Sequence, residues 1–206
     1  MPELPEVETT RRGVAPYCQG EVVSELVVRE SRLRWPVPDQ LPTLLAGQQI
    51  ETIDRRGKYL LFRVPVGALL VHLGMSGSLR VVDSQEPPGR HDHIDIRLLS
   101  GASLRYHDPR RFGSFLWQAP DEQHSLLSHL GPEPLSAEFD GDYLYQLSRR
   151  RPGPVKNFIM DGKVVVGVGN IYANEVLFLS GIHPRRPAGR ISKTRYTVLA
   201  DNIKQV

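Results

Sequence analysis

Residues 59–82 read YLLFRVPVGALLVHLGMSGSLRVV. Three short runs, YLLFRV (59–64), ALLVHL (68–73) and SLRVV (78–82), stand between Pro-Val-Gly and Gly-Met-Ser-Gly breaks. They are rich in residues that suit a pleated surface, and runs this short between turn residues predict strands rather than helices. The pattern continues in HIDIRLL (93–99) and SLRYH (103–107), set off by Pro-Pro-Gly and Ser-Gly. HIDIRLL alternates, with Ile94, Ile96 and Leu98 on one face, which predicts a half-buried strand. The spacing points to antiparallel hairpins forming a sandwich or barrel.

Upstream, MPELPEVETT (1–10) crowds two prolines and three acids into the first eight residues. Pro5 suits the first turn of a helix, with Glu6 and Glu8 complementing its dipole. That accounts for residues 5–13 and leaves Pro2 and Glu3 without a structural reason. Removal of Met1, which the small Pro2 permits, makes Pro2 a terminal secondary amine with Glu3 directly beside it.

From about residue 121 the pattern becomes helical, in HSLLSHLG (124–131), FDGDYLYQLSRRR (139–151) and beyond. The fold class expected is therefore α+β. A β-sandwich domain with a leading helix occupies residues 1–130. Gly-Pro-Glu-Pro and Asp-Gly-Asp mark a linker over 131–142, and a helical domain covers 143–206. TRYTVLADNIKQV (194–206) has helical spacing but no stop signal behind it, which predicts further chain beyond Val206.

Composition narrows the class. The 206 residues are 40% hydrophobic, enough for real cores. No stretch approaches the ~20 apolar residues of a membrane span, and the N-terminus lacks the regions of a signal peptide, so a cytoplasmic protein is expected. The single cysteine, Cys18, excludes an internal disulfide and a multi-cysteine zinc site within these residues. The net charge is only +3, but residues 143–206 carry 11 Lys and Arg against three Asp and Glu, while the rest carry 15 against 20. A basic C-terminal part suits a polyanion, most simply nucleic acid.

Several stretches hold residues suited to chemistry. Lys58 follows Gly57 at a turn into a strand, which would hold its ammonium on a rigid element; a solvated lysine is the ordinary alternative. Met75 lies between two glycines at a loop tip, exposed at a hydrophobic cost unless something apolar receives it. In HDPRRFG (107–113), Asp108 and Pro109 start a turn that carries Arg110, Arg111 and Phe112. Arginines beside an exposed aromatic suit a wedge between base pairs, with cations for phosphates; a turn with Phe112 tucked into the core fits equally well. His91 and His93 share a strand face but lack a third ligand, so hydrogen-bonding or phosphate contact is favoured over a metal. KVVVGVGNIYANE (163–175) has the start of a dinucleotide fingerprint, but Tyr172 stands where its third glycine belongs. The better reading has Asn170 capping a helix whose N-terminus suits a phosphate, with Lys156 on the preceding helical segment.

Taken together, PELPEVE, RRGKYLL, HLGMSGSLR, HDHID, YHDPRRFG, LGPEPL, VVVGVGNIYANE and GIHP resemble the bacterial formamidopyrimidine-DNA glycosylase family, in order and over nearly the whole chain. The endonuclease VIII type, the oxidised-pyrimidine branch, has Gly where Leu4 stands, so the oxidised-purine branch is favoured. The resemblance implies a β-sandwich with an N-terminal helix, then a helix–two-turn–helix domain, in a monomer acting on double-stranded DNA that holds an oxidised purine or an abasic site. It implies Pro2 as nucleophile, Glu3 as general acid and Lys58 as phosphate ligand and proton donor, with Glu6 helping to position the terminus. Met75, Arg110 and Phe112 would fill the space left by the flipped lesion, and His91, Arg110, Arg151, Lys156 and Asn170 would contact DNA. It also implies zinc in a four-cysteine finger beyond residue 206. The rival expectations are a catalytically silent DNA-binding module and an oxidised-pyrimidine glycosylase.

Overall fold

The computed structural model describes residues 2–206; Met1, whose removal the reading of Pro2 requires, lies outside them. The chain divides into a first unit ending at His124 and a second spanning Ser125–Val206.

The first unit is a sandwich of two four-stranded antiparallel sheets behind a leading helix, α1 (Leu4–Cys18). Its strands are β1 (Val23–Val28), β2 (Thr52–Arg56), β3 (Tyr59–Val64), β4 (Gly67–His72), β5 (Ser78–Asp83), β6 (Asp92–Leu98), β7 (Ala102–His107) and β8 (Ser114–Gln118). One sheet has the order β1-β6-β7-β5, the other β2-β3-β4-β8. The five strands read from sequence are all present, and β1, β2 and β8 join them. Three connections pass from one sheet to the other rather than closing hairpins: β1 to β2 through residues 29–51, and two short ones, β4 to β5 and β7 to β8. The short loops are Leu73–Gly77 and Asp108–Gly113.

Helix α1 runs beyond residue 13 to Cys18, through Gly13 and Pro16. Its length is set by the face it buries, Val7, Val14 and Cys18, rather than by propensity. It packs against β2 and β3 of one sheet and β5 and β7 of the other, and β2 and β5 are edge strands that it covers. Glu8 does more than complement a dipole. Its carboxylate accepts from Arg11 at 2.7 Å, Arg12 at 2.8 Å and Arg55 of β2 at 3.1 Å, which ties the helix to the sheet. A short helix, α2 (Leu41–Leu45), packs on β1 at the opposite edge of its sheet.

Strand β6 is not half buried. Ile94, Ile96 and Leu98 face the core, but Asp95 on the other face is also fully buried. Arg105 of β7 meets Asp95 through two hydrogen bonds of 2.9 Å and donates to the carbonyls of Glu86 (2.8 Å) and Pro87 (3.3 Å). The loop holding these carbonyls roofs the charged face, which alternation alone does not reveal.

The second unit is helical: α3 (Ser125–Ser128), α4 (Gly141–Ser148), α5 (Val155–Met160), α6 (Asn170–Leu179) and α7 (Lys193–Gln205). Residues 131–142, read above as a linker, are packed into this unit. Phe139 is fully buried, the Gly131 amide donates to the Gly162 carbonyl at 2.8 Å, and the Val166 amide donates to the Pro132 carbonyl at 3.1 Å. Val164, Val165 and Val166 are buried in a turn rather than a strand, so no dinucleotide fold surrounds the Gly-x-Gly. No helix among the described residues is long and apolar enough to cross a membrane.

The arginine hydrogen bonds, Arg11's first, outweigh the effect of burial and hold the Glu8 carboxyl at about 2 instead of 4.5. A depressed carboxyl stabilises the fold above its unfolded value, and that contribution is lost as pH falls through the folded one. Glu8→Gln should therefore cost about 1–2 kcal/mol near neutral pH. In urea unfolding the gap to the parent should close as pH is lowered from 4.5 toward 2.

Candidate active site

Pro2, half buried, stands immediately before the N-cap of α1. Glu3 is that cap: its backbone is extended, its carbonyl accepts from Val7 at 3.1 Å, and its amide donates to Glu6 Oε2 at 2.9 Å. Glu6 thus braces the residue that follows Pro2. Glu3 itself is buried, 1% exposed, which sequence reasoning about a charged residue would not foresee.

Lys58 occupies the two-residue turn between β2 and β3, after Gly57 with φ +57°. The turn is rigid because both strands pair on either side, down to Arg56 with Tyr59. Burial lowers the Lys58 pKa, while the Glu3 and Glu6 carboxylates oppose that shift. The ammonium therefore sits partly dehydrated within electrostatic reach of the helix terminus. His72, at the end of β4, lies against Tyr59 with ring centroids 4.8 Å apart and accepts from the Gly74 amide through Nδ1 at 3.0 Å. Burial, with Lys58 and Arg34 nearby, pushes the His72 pKa down to about 4, so this imidazole is neutral at physiological pH.

The two short inter-sheet loops come together beside this group. Gly74 has φ +70°, and a Cβ there would fall 2.4 Å from the backbone of Phe112, so the loops touch backbone to backbone. Met75 is 43% exposed and Phe112 41%, which rejects the alternative that Phe112 is tucked into the core. The Arg110 guanidinium lies 4.7 Å from the Phe112 ring centroid, a cation–π pair. Arg111 takes φ 56°, a left-handed conformation that few non-glycine residues adopt, and its guanidinium pairs with Glu30 at 3.1 Å.

Asp108, absent from the sequence-based site, holds both loops. Its buried carboxylate accepts from Ser76 Oγ (2.7 Å), Tyr106 OH (2.8 Å) and the amides of Gly113 (3.0 Å) and Arg110 (3.3 Å). Burial alone would raise its pKa; these donors, Ser76 foremost, bring it below the ordinary value. The sequence signal was Asp-Pro before two arginines, which reads as a turn and conceals an anchor. His93, buried, has Nε2 2.8 Å from the Asp108 carbonyl, while His91 lies just before β6.

In the second unit, Arg151 is exposed in the loop after α4, and Lys156 is half buried in the first turn of α5. Asn170 does not cap α6. Gly169 holds the cap position and Asn170 is the first helical residue, exposed. Gly167 at φ +87° allows the turn that starts this helix. The residues present do not fit a four-cysteine zinc site: Cys18 is the only cysteine, buried in the first core with its thiol pKa pushed up to about 11 by burial.

Residues 1–115 match the family model for the formamidopyrimidine-DNA glycosylase N-terminal domain, and residues 130–206 match that for its H2TH domain. The chain belongs to the formamidopyrimidine-DNA glycosylase family. It is 60% identical over 206 residues to the formamidopyrimidine-DNA glycosylase of Stutzerimonas stutzeri, covering all of this chain and 76% of the relative. The enzyme of Pseudomonas aeruginosa is 59% identical over the same span, with the same coverage. Among solved structures, the Lactococcus lactis formamidopyrimidine-DNA glycosylase bound non-covalently to AP-site DNA aligns with a TM-score of 0.92 at 32% identity, covering 98% of this chain and 79% of that one. A complex of the Lactococcus lactis protein with Fapy-dG-containing DNA gives a TM-score of 0.92 at 32% identity, covering 98% and 77%.

Asp108→Asn replaces one acceptor oxygen by a donor, which faces either the Tyr106 hydroxyl and Gly113 amide or the Ser76 hydroxyl and Arg110 amide. The substitution should lower stability by about 2–3 kcal/mol. In hydrogen exchange, the amides of Gly77 and Gly113 should lose protection before those of β3 and β4.

Proposed function

We propose that this protein is a base-excision repair DNA glycosylase that removes oxidised purines, 8-oxoguanine and formamidopyrimidines, and then nicks the strand as an AP lyase. The observation that carries the reading is the grouping at the head of α1. Pro2 stands next to a buried Glu3, and Lys58 is dehydrated within electrostatic reach of it. The substrate class rests on the relatives, which carry that enzyme's name, and on the Lactococcus lactis structure with a Fapy-dG lesion.

In this reading Met1 is removed and the Pro2 secondary amine attacks C1′ of the damaged nucleotide. The N–C1′ bond forms as the glycosidic bond breaks and the base leaves. A secondary amine passes directly to a cationic iminium, an electron sink that divides the reaction into easier steps. Glu3 gives a proton to the sugar as its ring opens. Lys58 binds phosphate and delivers a proton, which its dehydrated ammonium yields more readily than a solvated one. Elimination of the 3′ phosphate and then of the 5′ phosphate leaves a one-nucleotide gap.

The lesion must first leave the stack, at roughly a few kcal/mol. Met75, Arg110 and Phe112 fill the vacated space, supported by their exposure and by the Asp108 anchor beneath them. His91, Arg110, Arg151, Lys156 and Asn170 contact the DNA, its phosphates among their partners. The reaction takes place on chromosomal DNA in the bacterial cytoplasm, with the enzyme as a monomer.

Borohydride trapping on a duplex with one 8-oxoguanine opposite cytosine tests the proposal. A covalent complex should form with the native terminus and vanish in Pro2→Gly and in an N-terminally extended form. Trapping at an abasic site alone would separate amine chemistry from lesion capture, and no trapping on either would leave a DNA-binding module. Lys58→Ala should slow base excision by about a hundredfold. It should slow cleavage at a pre-formed abasic site far less; equal losses on both substrates would count against its assigned role.

A further inference from the structure

The buried carboxylate of Asp92 does not point into the sandwich. Its side chain is 1% exposed and accepts from the Gly89 amide at 2.7 Å, from Arg80 at 3.1 Å and from His107 Nδ1 at 2.8 Å. His107 is the last residue of β7, directly before the Asp108 anchor, and lies opposite Asp92 in the β6–β7 pairing. Committing Nδ1–H to Asp92 leaves Nε2 as the ring's other hydrogen-bonding atom. The side chain is 37% exposed, and its ring stands edge-on to His91 with centroids 5.9 Å apart. Two imidazoles thus sit side by side at the end of the sheet that carries the wedge loops.

We propose that His107, oriented by Asp92, contacts a DNA phosphate beside His91 and does so as an imidazolium. The inference rests on the DNA-binding reading above. A neutral ring with Nδ1–H held by Asp92 offers only an acceptor at Nε2, and a phosphate oxygen is itself an acceptor. Contact therefore requires a proton from solvent on Nε2, after which Asp92 on one side and phosphate on the other hold the positive ring. Against the ring itself stand the Asp92 carboxylate on β6 and the His91 ring in the loop before it; Arg80 on β5 and Arg105 on β7 approach Asp92, and Glu86 in the same loop pairs with Arg105. Arg80 and Arg105 both approach Asp92, so the carboxylate orients the imidazole while their charge adds to the attraction for phosphate.

The test is fluorescence anisotropy with a duplex holding a non-cleavable tetrahydrofuran abasic site, in a salt series at pH 6 and pH 8, which bracket imidazole titration. His107→Asn keeps a donor for Asp92 but cannot become charged. At pH 6 it should bind about tenfold more weakly than the parent, with the slope of log K against log salt smaller by about 1. At pH 8 the loss should be smaller. Undamaged duplex should show the same loss, because a phosphate contact is blind to the lesion. Unchanged affinity and slope at pH 6, or the same loss at both pH values, would overturn the inference and leave the glycosylase reading intact. Failure of the parent to bind any duplex would overturn the glycosylase reading. Nitrogen NMR on the parent at pH 6 gives a second check: in the DNA complex the His107 ring should be doubly protonated, and a singly protonated ring there would refute the contact.

Discussion

The Asp108 carboxylate is the interaction on which the end of the sandwich that exposes Met75 and Phe112 depends. A buried carboxylate without donors would be neutralised or the fold would not close around it. Four donors from three segments meet this one: Ser76 from the first short inter-sheet loop, Arg110 and Gly113 from the second, and Tyr106 from β7. Satisfying that charge joins the two loops. The glycines follow from the same constraint. A Cβ on Gly113 would lie 1.7 Å from the Tyr106 hydroxyl, and one on Gly77 2.1 Å from the Leu73 carbonyl. With the loop backbones pressed together, Met75 and Phe112 have no room to fold inward and stay outside, against the hydrophobic preference of both.

A second charged layer shapes the outer face of the sheet containing β6 and β7. Where a sandwich ordinarily presents solvated polar residues, this one buries Asp92, Asp95 and Arg105 under the loop before β6. Buried ion pairs are weak evidence for stability, because desolvation offsets their attraction. Their consequence here is direction. The Asp95–Arg105 pair draws the loop carbonyls down onto the sheet, and Asp92 with the Gly89 amide fixes the residues that lead into His91. Asp92 then turns His107 toward the same edge. The position of His91 is thus set by ionic contacts below it rather than by an apolar core.

Much of the architecture was legible in short sequence stretches. YLLFRV, ALLVHL and SLRYH became β3, β4 and β7 to within a residue or so, because local apolar runs between glycines and prolines admit few other conformations. The strands not read from sequence had no such signature. In β2, TIDRR, only Ile53 is buried, and the strand exists because β3 supplies its hydrogen bonds. Helix α1 was legible at Pro5 and Glu6 but not at its end, since Val14 and Cys18 hold it through Pro16 by packing. The cap of α6 was placed one residue late, at Asn170, because Gly169 with its extended backbone starts the helix.

The motifs in order, from PELPEVE to GIHP, determined the family, because residue types and their order along the chain are properties of the sequence alone. Only the tertiary structure decided their surroundings. Glu3 is buried and Lys58 dehydrated near it, Asp108 is an anchor rather than a turn residue, and His107 is oriented by a carboxylate fifteen residues away. Burial and hydrogen-bond partnership are set by strands distant in sequence, and so no local pattern encodes them.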